Sequence, residues 1–170
     1  MYVLNTDREG KFRKNHEVSE TIGRVIYFKT YTKTADAVLE YNVNGSRYTT
    51  HDLPFPTMVP GDEFIVLYDK NNPDESIYLK DRPVIPDKDT AHAIGKITLY
   101  RKWKFNTEVH FIYSFNEVEY KRAQFFSRDK VNESSELKKM SDNGSTISII
   151  FPMSNPSRGY LNLDKNIPQN

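Results

Sequence analysis

Residues 65–76 read IVLYDKNNPDES, and residues 148–159 read SIIFPMSNPSRG. Each is an apolar run that ends in an aromatic, followed by loop residues and Asn-Pro. Proline removes a ladder donor and pushes the residue before it toward extended geometry. Asn-Pro therefore ends a strand and sets the entry to a tight turn, where Asp, Asn and Ser bond their own backbone. Used twice, the phrase predicts the same strand end twice. A metal or phosphate loop is the sharper reading. The second use replaces Asp69 with Pro152 and Asp74 with Ser157, shedding carboxylates that such a loop would need, so a structural turn is preferred.

Working outward, Ile22-Gly23-Arg24-Val25 lies over Ile94-Gly95-Lys96-Ile97 at an offset of 72. Without a gap, Phe28 then meets Tyr100, Lys29 meets Arg101, Tyr31 meets Trp103 and Asp36 meets Glu108. Tyr41, Asn44 and Tyr48 meet Tyr113, Asn116 and Tyr120. Past residue 50 the offset becomes 83, which sets Gly61 on Gly144, Tyr68 on Phe151 and Asn72-Pro73 on Asn155-Pro156. The second copy thus carries 11 extra residues between about 121 and 143. A constant offset through three strands predicts a duplication.

Alternating apolar residues place Ala37, Leu39, Tyr41 and Val43 on one strand face, as Val109, Phe111, Tyr113 and Phe115 in the other copy. Asn44-Gly45 is a hairpin turn that needs positive φ at both residues; its counterpart Asn116-Glu117 lacks the glycine and predicts a strained or differently shaped turn. Strands are expected at about 23–31, 37–43, 46–51, 63–69 and 76–80. The expected fold is all-β, with two tandem, similar antiparallel barrels or sandwiches of about five strands each. The parts are an N-terminal segment at 1–21, a first repeat at 22–81, a linker at 82–93, a second repeat at 94–164 with an insertion near 123–142, and a tail at 165–170.

The string GRV…YNVNGSRY…PGDEFIVLYDKNNPDES resembles a bacterial domain-of-unknown-function family. That family shows a Gly-Val start, a Y-x-V-x-G-x-x-Y hairpin and a Gly-Asp, hydrophobic strand, Tyr-Asp-Pro-x-Asn-Pro sequence. The resemblance covers residues 22–80 and, more weakly, 94–164. It implies a small β-domain common in envelope or membrane proteins and brings no catalytic residues.

Composition bounds the function. The chain has 170 residues, 37% hydrophobic and 28% charged, with 11 Tyr, 10 Phe and one Trp; disordered chains lack so many aromatics. A net charge of +1 gives no global field to attract nucleic acid or an anionic membrane. With no cysteine there is no disulfide, thiolate metal site or cysteine nucleophile. No apolar run approaches the roughly 20 residues of a membrane span. The opening MYVLNTDREG is polar after four residues and reads as no signal peptide, which favours the cytoplasm over a cleaved envelope protein.

The four histidines, His16, His51, His92 and His110, show no HxxxH or HExxH spacing. No G-x-S-x-G elbow, Walker loop or dinucleotide fingerprint occurs. The expected protein has no catalytic residues, metal ligands or cofactor. It reads as a non-catalytic protein-interaction or assembly module, with a nucleic-acid-binding module and an uncharacterised enzyme as alternatives. In Tyr100-Arg101-Lys102-Trp103-Lys104-Phe105, simple alternation puts Leu99, Arg101, Trp103 and Phe105 on the core face and leaves the lysines free. His110 is expected on an exposed face. In the insertion, Ser134 is a cap for a short helix holding Leu137 and Met140, stopped at Asn143-Gly144. Because copies differ there, partner binding is expected at Phe125, Phe126, Arg128 and Lys130. Residues 127–142 are then expected to be replaceable by a Gly-Ser turn at little cost in stability.

Overall fold

The computed structural model describes residues 6–103, 106–127 and 131–162. A helix, α1 (Thr6–Asn15), leads into β1 (Val18–Thr30), β2 (Ala35–Val43), β3 (Ser46–Asp52), β4 (Glu63–Asp69) and β5 (Ser76–Pro83). Then follow β6 (Thr90–Lys102), β7 (Asn106–Phe115), β8 (Val118–Ser127), α2 (Val131–Asp142), β9 (Thr146–Pro152) and β10 (Tyr160–Leu161). The chain divides into two compact units, Met1–Val84 and Ile85–Asn170. Each contains one five-stranded antiparallel sheet. Among the described residues no helix is long and apolar enough to cross a membrane.

The first sheet runs β3-β2-β1-β4-β5, and the second runs β8-β7-β6-β9-β10, the same order. The registers match residue for residue at the offsets read from the sequence. Gly23 faces Tyr41 and Phe64; Gly95 faces Tyr113 and Ile147. Both central strands also break register at one place, between Val25 and Tyr27 and between Ile97 and Leu99. At the two glycines a side chain would collide with a neighbouring strand. A Cβ on Gly23 would lie 2.5 Å from Val66 Cγ2, and one on Gly95 would lie 2.6 Å from the Ile112 carbonyl oxygen.

Each sheet curls until its outer strands approach, β3 near β5 and β8 near β10. In the first unit Thr50 Oγ1 donates to the Ser76 carbonyl, and Lys80 Nζ lies 3.1 Å from Asp52 Oδ2. In the second, the Leu161 N–H donates to Gln124 Oε1 at 2.9 Å. Inside each curl lie stacked rings: Tyr41 on Tyr48 and Tyr68, and Tyr113 on Tyr120 and Phe151. Tyr41 donates its hydroxyl to the Pro73 carbonyl, and Tyr113 donates to Pro156. The repeated Asn-Pro is therefore pinned to the second strand of its sheet as well as closing a turn.

Several details depart from the sequence reading. Residues 6–15 form a helix, which a charged, poorly periodic segment did not announce. Asn116 and Glu117 adopt φ of 50° and 65°, the positive-φ pair of Asn44 and Gly45 at 49° and 83°. That turn keeps its shape with a glutamate where glycine belongs. β5 runs to Pro83 and β6 starts at Thr90, so the linker is shorter than 82–93. β8 continues through Ser127, so 123–127 belong to the sheet. α2 begins at Val131, which puts Ser134 inside the helix rather than at its cap.

Candidate functional site

The register break in each central strand is a β-bulge, and a bulge reverses which face later side chains take. Before it, Ala93 and Ile97 pack on the second core; after it, Tyr100 does. Leu99, Arg101 and Trp103 are thereby turned to the other side. This overturns the alternation that put Trp103 on the core face. Trp103 is 46% exposed, and its counterpart Tyr31 is 44% exposed. Tyr27, just past the first bulge, is exposed as well.

Beyond the bulge the central strand also loses a neighbour. β1 pairs β4 only over Val18–Arg24, and β6 pairs β9 only over Thr90–Lys96. The remainder pairs with β2 or β7 alone, as the arm of a hairpin. The hairpin ends close alike. The Tyr31 N–H donates to the Thr34 carbonyl at 2.7 Å, and the Trp103 N–H to the Asn106 carbonyl at 2.8 Å. Each aromatic has an exposed cation two residues before it, Lys29 and Arg101. Lys29 Nζ stands 5.4 Å from the Tyr31 ring centroid, within cation–π range.

A buried carboxylate braces the second hairpin. Glu108, 8% exposed, accepts the Trp103 indole N–H at 3.1 Å, and its other oxygen lies 2.6 Å from His110 Nε2. His110 is thus half-buried and engaged rather than free on an exposed face. The counterpart carboxylate, Asp36, lies 3.2 Å from His51 Nδ1. The arrangement holds an aromatic outward in a fixed pose, which suits recognition.

The residues first expected to bind a partner lie elsewhere. Phe125 and Phe126 are on β8, opposite Glu108 and Thr107, and each is only 2% exposed. Phe126 packs in the second core with Leu137. Both side chains lie in the core and offer no surface to a partner. Arg128 and Lys130 lie outside the described residues. The outward aromatics could have been found in the sequence only by foreseeing the bulge, for which Thr98 and Ile26 carry no local signal.

Lys80 is the other chemically unusual group. Burial pulls its ammonium below the ordinary lysine value, against the opposing attraction of Asp52. Its neighbour Tyr78 is pushed up by burial. A depressed lysine is a common nucleophile. Here the ammonium is tied to Asp52, which also takes Arg8 at 2.6 Å, and the group joins the two edges of the curl. No family model matches the chain, and no curated protein matches it.

Proposed function

We propose that this chain is a non-catalytic protein-interaction or assembly module, built as a tandem repeat, that engages its partner through the ends of the two bulged hairpins. One observation carries the reading. Both units expose an aromatic at the same hairpin position, Tyr31 and Trp103, beside a cation. A ring presented at the same place in both copies offers a large, rigid contact surface with a polar tip. Tyrosine, tryptophan and arginine are the residues enriched at interface hot spots.

The test begins with a protein captured by the intact chain and then purified. Trp103 is the single tryptophan, so its fluorescence reports engagement directly. The double variant Tyr31→Ala, Trp103→Ala, which lacks the fluorophore and is therefore measured by calorimetry, should lose at least about tenfold in affinity, the size of a hot-spot effect. Its melting temperature should fall only modestly, since both rings are nearly half-exposed and Glu108 keeps His110 when the indole N–H is lost. Undiminished binding by the double variant would overturn the proposal.

A second reading has its own observation: Lys29 over the Tyr31 ring, and Arg101 and Lys102 next to Trp103. Rings that stack on bases beside cations that meet phosphates are how single strands are held. Five-stranded, partly open barrels serve this purpose elsewhere, which is an argument by analogy only. Quenching of Trp103 by oligo(dT) in low salt, lost steeply as salt rises, would favour it.

A further inference from the structure

At the opposite end of β1 from Tyr31, three chemically matched side chains converge. α1 brings one partly buried apolar residue to the sheet, Phe12, which packs with Val18 and Ile65 on Leu67, Ile77 and Leu79. Just past α1, the His16 N–H donates to the Phe12 carbonyl, and the imidazole stacks on the Phe12 ring at 4.4 Å between centroids. The ring is thus fixed in place. Its Nδ1 lies 2.9 Å from Asp69 Oδ2 and 3.4 Å from Glu75 Oε2. The three atoms all fall within 4.8 Å of one another.

Each carboxylate is oriented by its other oxygen. Asp69 Oδ1 accepts the Asn71 N–H at 2.9 Å, and Glu75 Oε1 accepts the Asn72 side-chain amide at 3.1 Å. The two remaining oxygens aim at a single ring nitrogen. One N–H satisfies one acceptor, and two carboxylates sharing it leave a surplus negative charge. The adjacent Lys70 ammonium bonds Glu17 at 3.0 Å. We propose that His16, Asp69 and Glu75 bind a divalent cation of the zinc class, clasping the α1–β1 junction to the β4–β5 connection.

The geometry suits that ion. Ligand atoms placed tetrahedrally at 2.0–2.1 Å from zinc stand roughly 3.3 Å apart; the observed 2.9 and 3.4 Å from the imidazole bracket this, and the two carboxylate oxygens lie within 4.8 Å of each other. One imidazole with two carboxylates is a borderline-to-hard ligand set, and carboxylates held by neighbouring donors are how metal sites orient their ligands. The Glu75 side chain is 54% exposed, which leaves a solvent side for water as a further ligand. The clasp has a physical purpose, because a ten-residue helix is too short to persist alone. The second unit has Pro152 and Arg158 at the positions of Asp69 and Glu75, so the site belongs to the first unit only.

The untagged full chain, stripped with a chelator and dialysed, is titrated with zinc chloride by calorimetry, and with cobalt(II) by visible absorption. One saturable site is expected, with a rise in melting temperature and slowed amide exchange in residues 6–15. His16→Gln and Glu75→Gln should each weaken binding by about tenfold or more. Glu75 is exposed enough that its variant should keep the metal-free melting temperature. His51→Gln, whose ring pairs with Asp36, should bind like wild type. No saturable binding below about 1 mM zinc, weaker than roughly −4 kcal/mol, would reduce the cluster to a histidine ion pair. Binding that survives His16→Gln and Glu75→Gln would equally overturn the site.

Discussion

Between β3 and β4 the first unit runs residues 53–62 as a loop, which seats Phe55 and Met58 in the core at 5% and 6% exposure. Phe55 meets the edge of Phe64. Between β8 and β9 the second unit places α2, which seats Leu137 at 0% exposure with Met140 beside it. The divergence starts at Pro54. Without an N–H it cannot extend the ladder, and β3 stops at Asp52, whereas β8 continues to Ser127. The 11 extra residues therefore do not decorate a finished barrel. They replace the piece that fills it.

The largest effect expected from this comparison is at Leu137. Leu137→Ala should cost about 3 kcal/mol, the usual loss for a fully buried leucine, measured by denaturant unfolding of the second unit. Replacing 127–142 with a Gly-Ser turn should unfold that unit, contrary to the expectation that treated the segment as a surface loop. Phe55→Ala should injure the first unit comparably. A Leu137→Ala protein as stable as wild type would show α2 to be an addition after all, and not the counterpart of the loop that fills the first core.

The seams give the next comparison. Across the curl, Lys80 meets Asp52 in the first unit, while Gln124 takes a backbone N–H in the second. Removing one member of a buried pair strands the other, and full burial makes that cost 3–5 kcal/mol. Asp52 is 23% exposed at its side chain, so Asp52→Asn should cost somewhat less, about 2 kcal/mol. Lys80→Met removes the more buried charge and leaves Asp52 paired with Arg8, so it should cost less than Asp52→Asn. Alkaline pH sharpens the test. Burial lowers Lys80 in the fold, so below the ordinary value of about 10.4 the unfolded chain binds more protons. Stability contributed by this group rises with pH across that window. Burial raises Tyr41 and Tyr78, and their contribution falls above about pH 10. As pH rises toward about 10.4, wild type should therefore gain on Lys80→Met. Parallel curves for the two proteins would remove Lys80 from the account.

Strand positions and the repeat offset were legible because turn chemistry and alternation are local. Asn-Pro, Asn44-Gly45 and the glycines at 23 and 95 each constrain backbone near themselves, and their spacing carried the repeat. The hairpin aromatics were not legible. One bulge residue reverses the parity of everything after it, and neither Ile26 nor Thr98 differs from an ordinary strand residue. α1 was hidden for another reason. Beyond Phe12 it docks through ion pairs, Glu9 with Arg82 and Arg8 with Asp52, which leave no apolar period. The His16 cluster joins residues 53 and 59 positions apart in the chain, so only the fold brings it together.

The smallest expected effect lies in the two hairpin turns, which share a shape and differ in one side chain. Gly45 meets its φ of 83° freely, whereas Glu117 holds 65° against its own Cβ. A non-glycine residue in that region costs about 1 kcal/mol or more. Glycine relieves the strain but also loosens the unfolded chain, which returns roughly 0.5 kcal/mol or more. Glu117→Gly should thus raise stability by a few tenths up to about 0.5 kcal/mol. Gly45→Val should lower it by more than about 1 kcal/mol, since a β-branched side chain tolerates positive φ worst. The sign of the difference matters more than its size. If Glu117→Gly destabilised the second unit, the glutamate would be holding its turn by a contact that outweighs the strain, and the two hairpins would be alike in outline only.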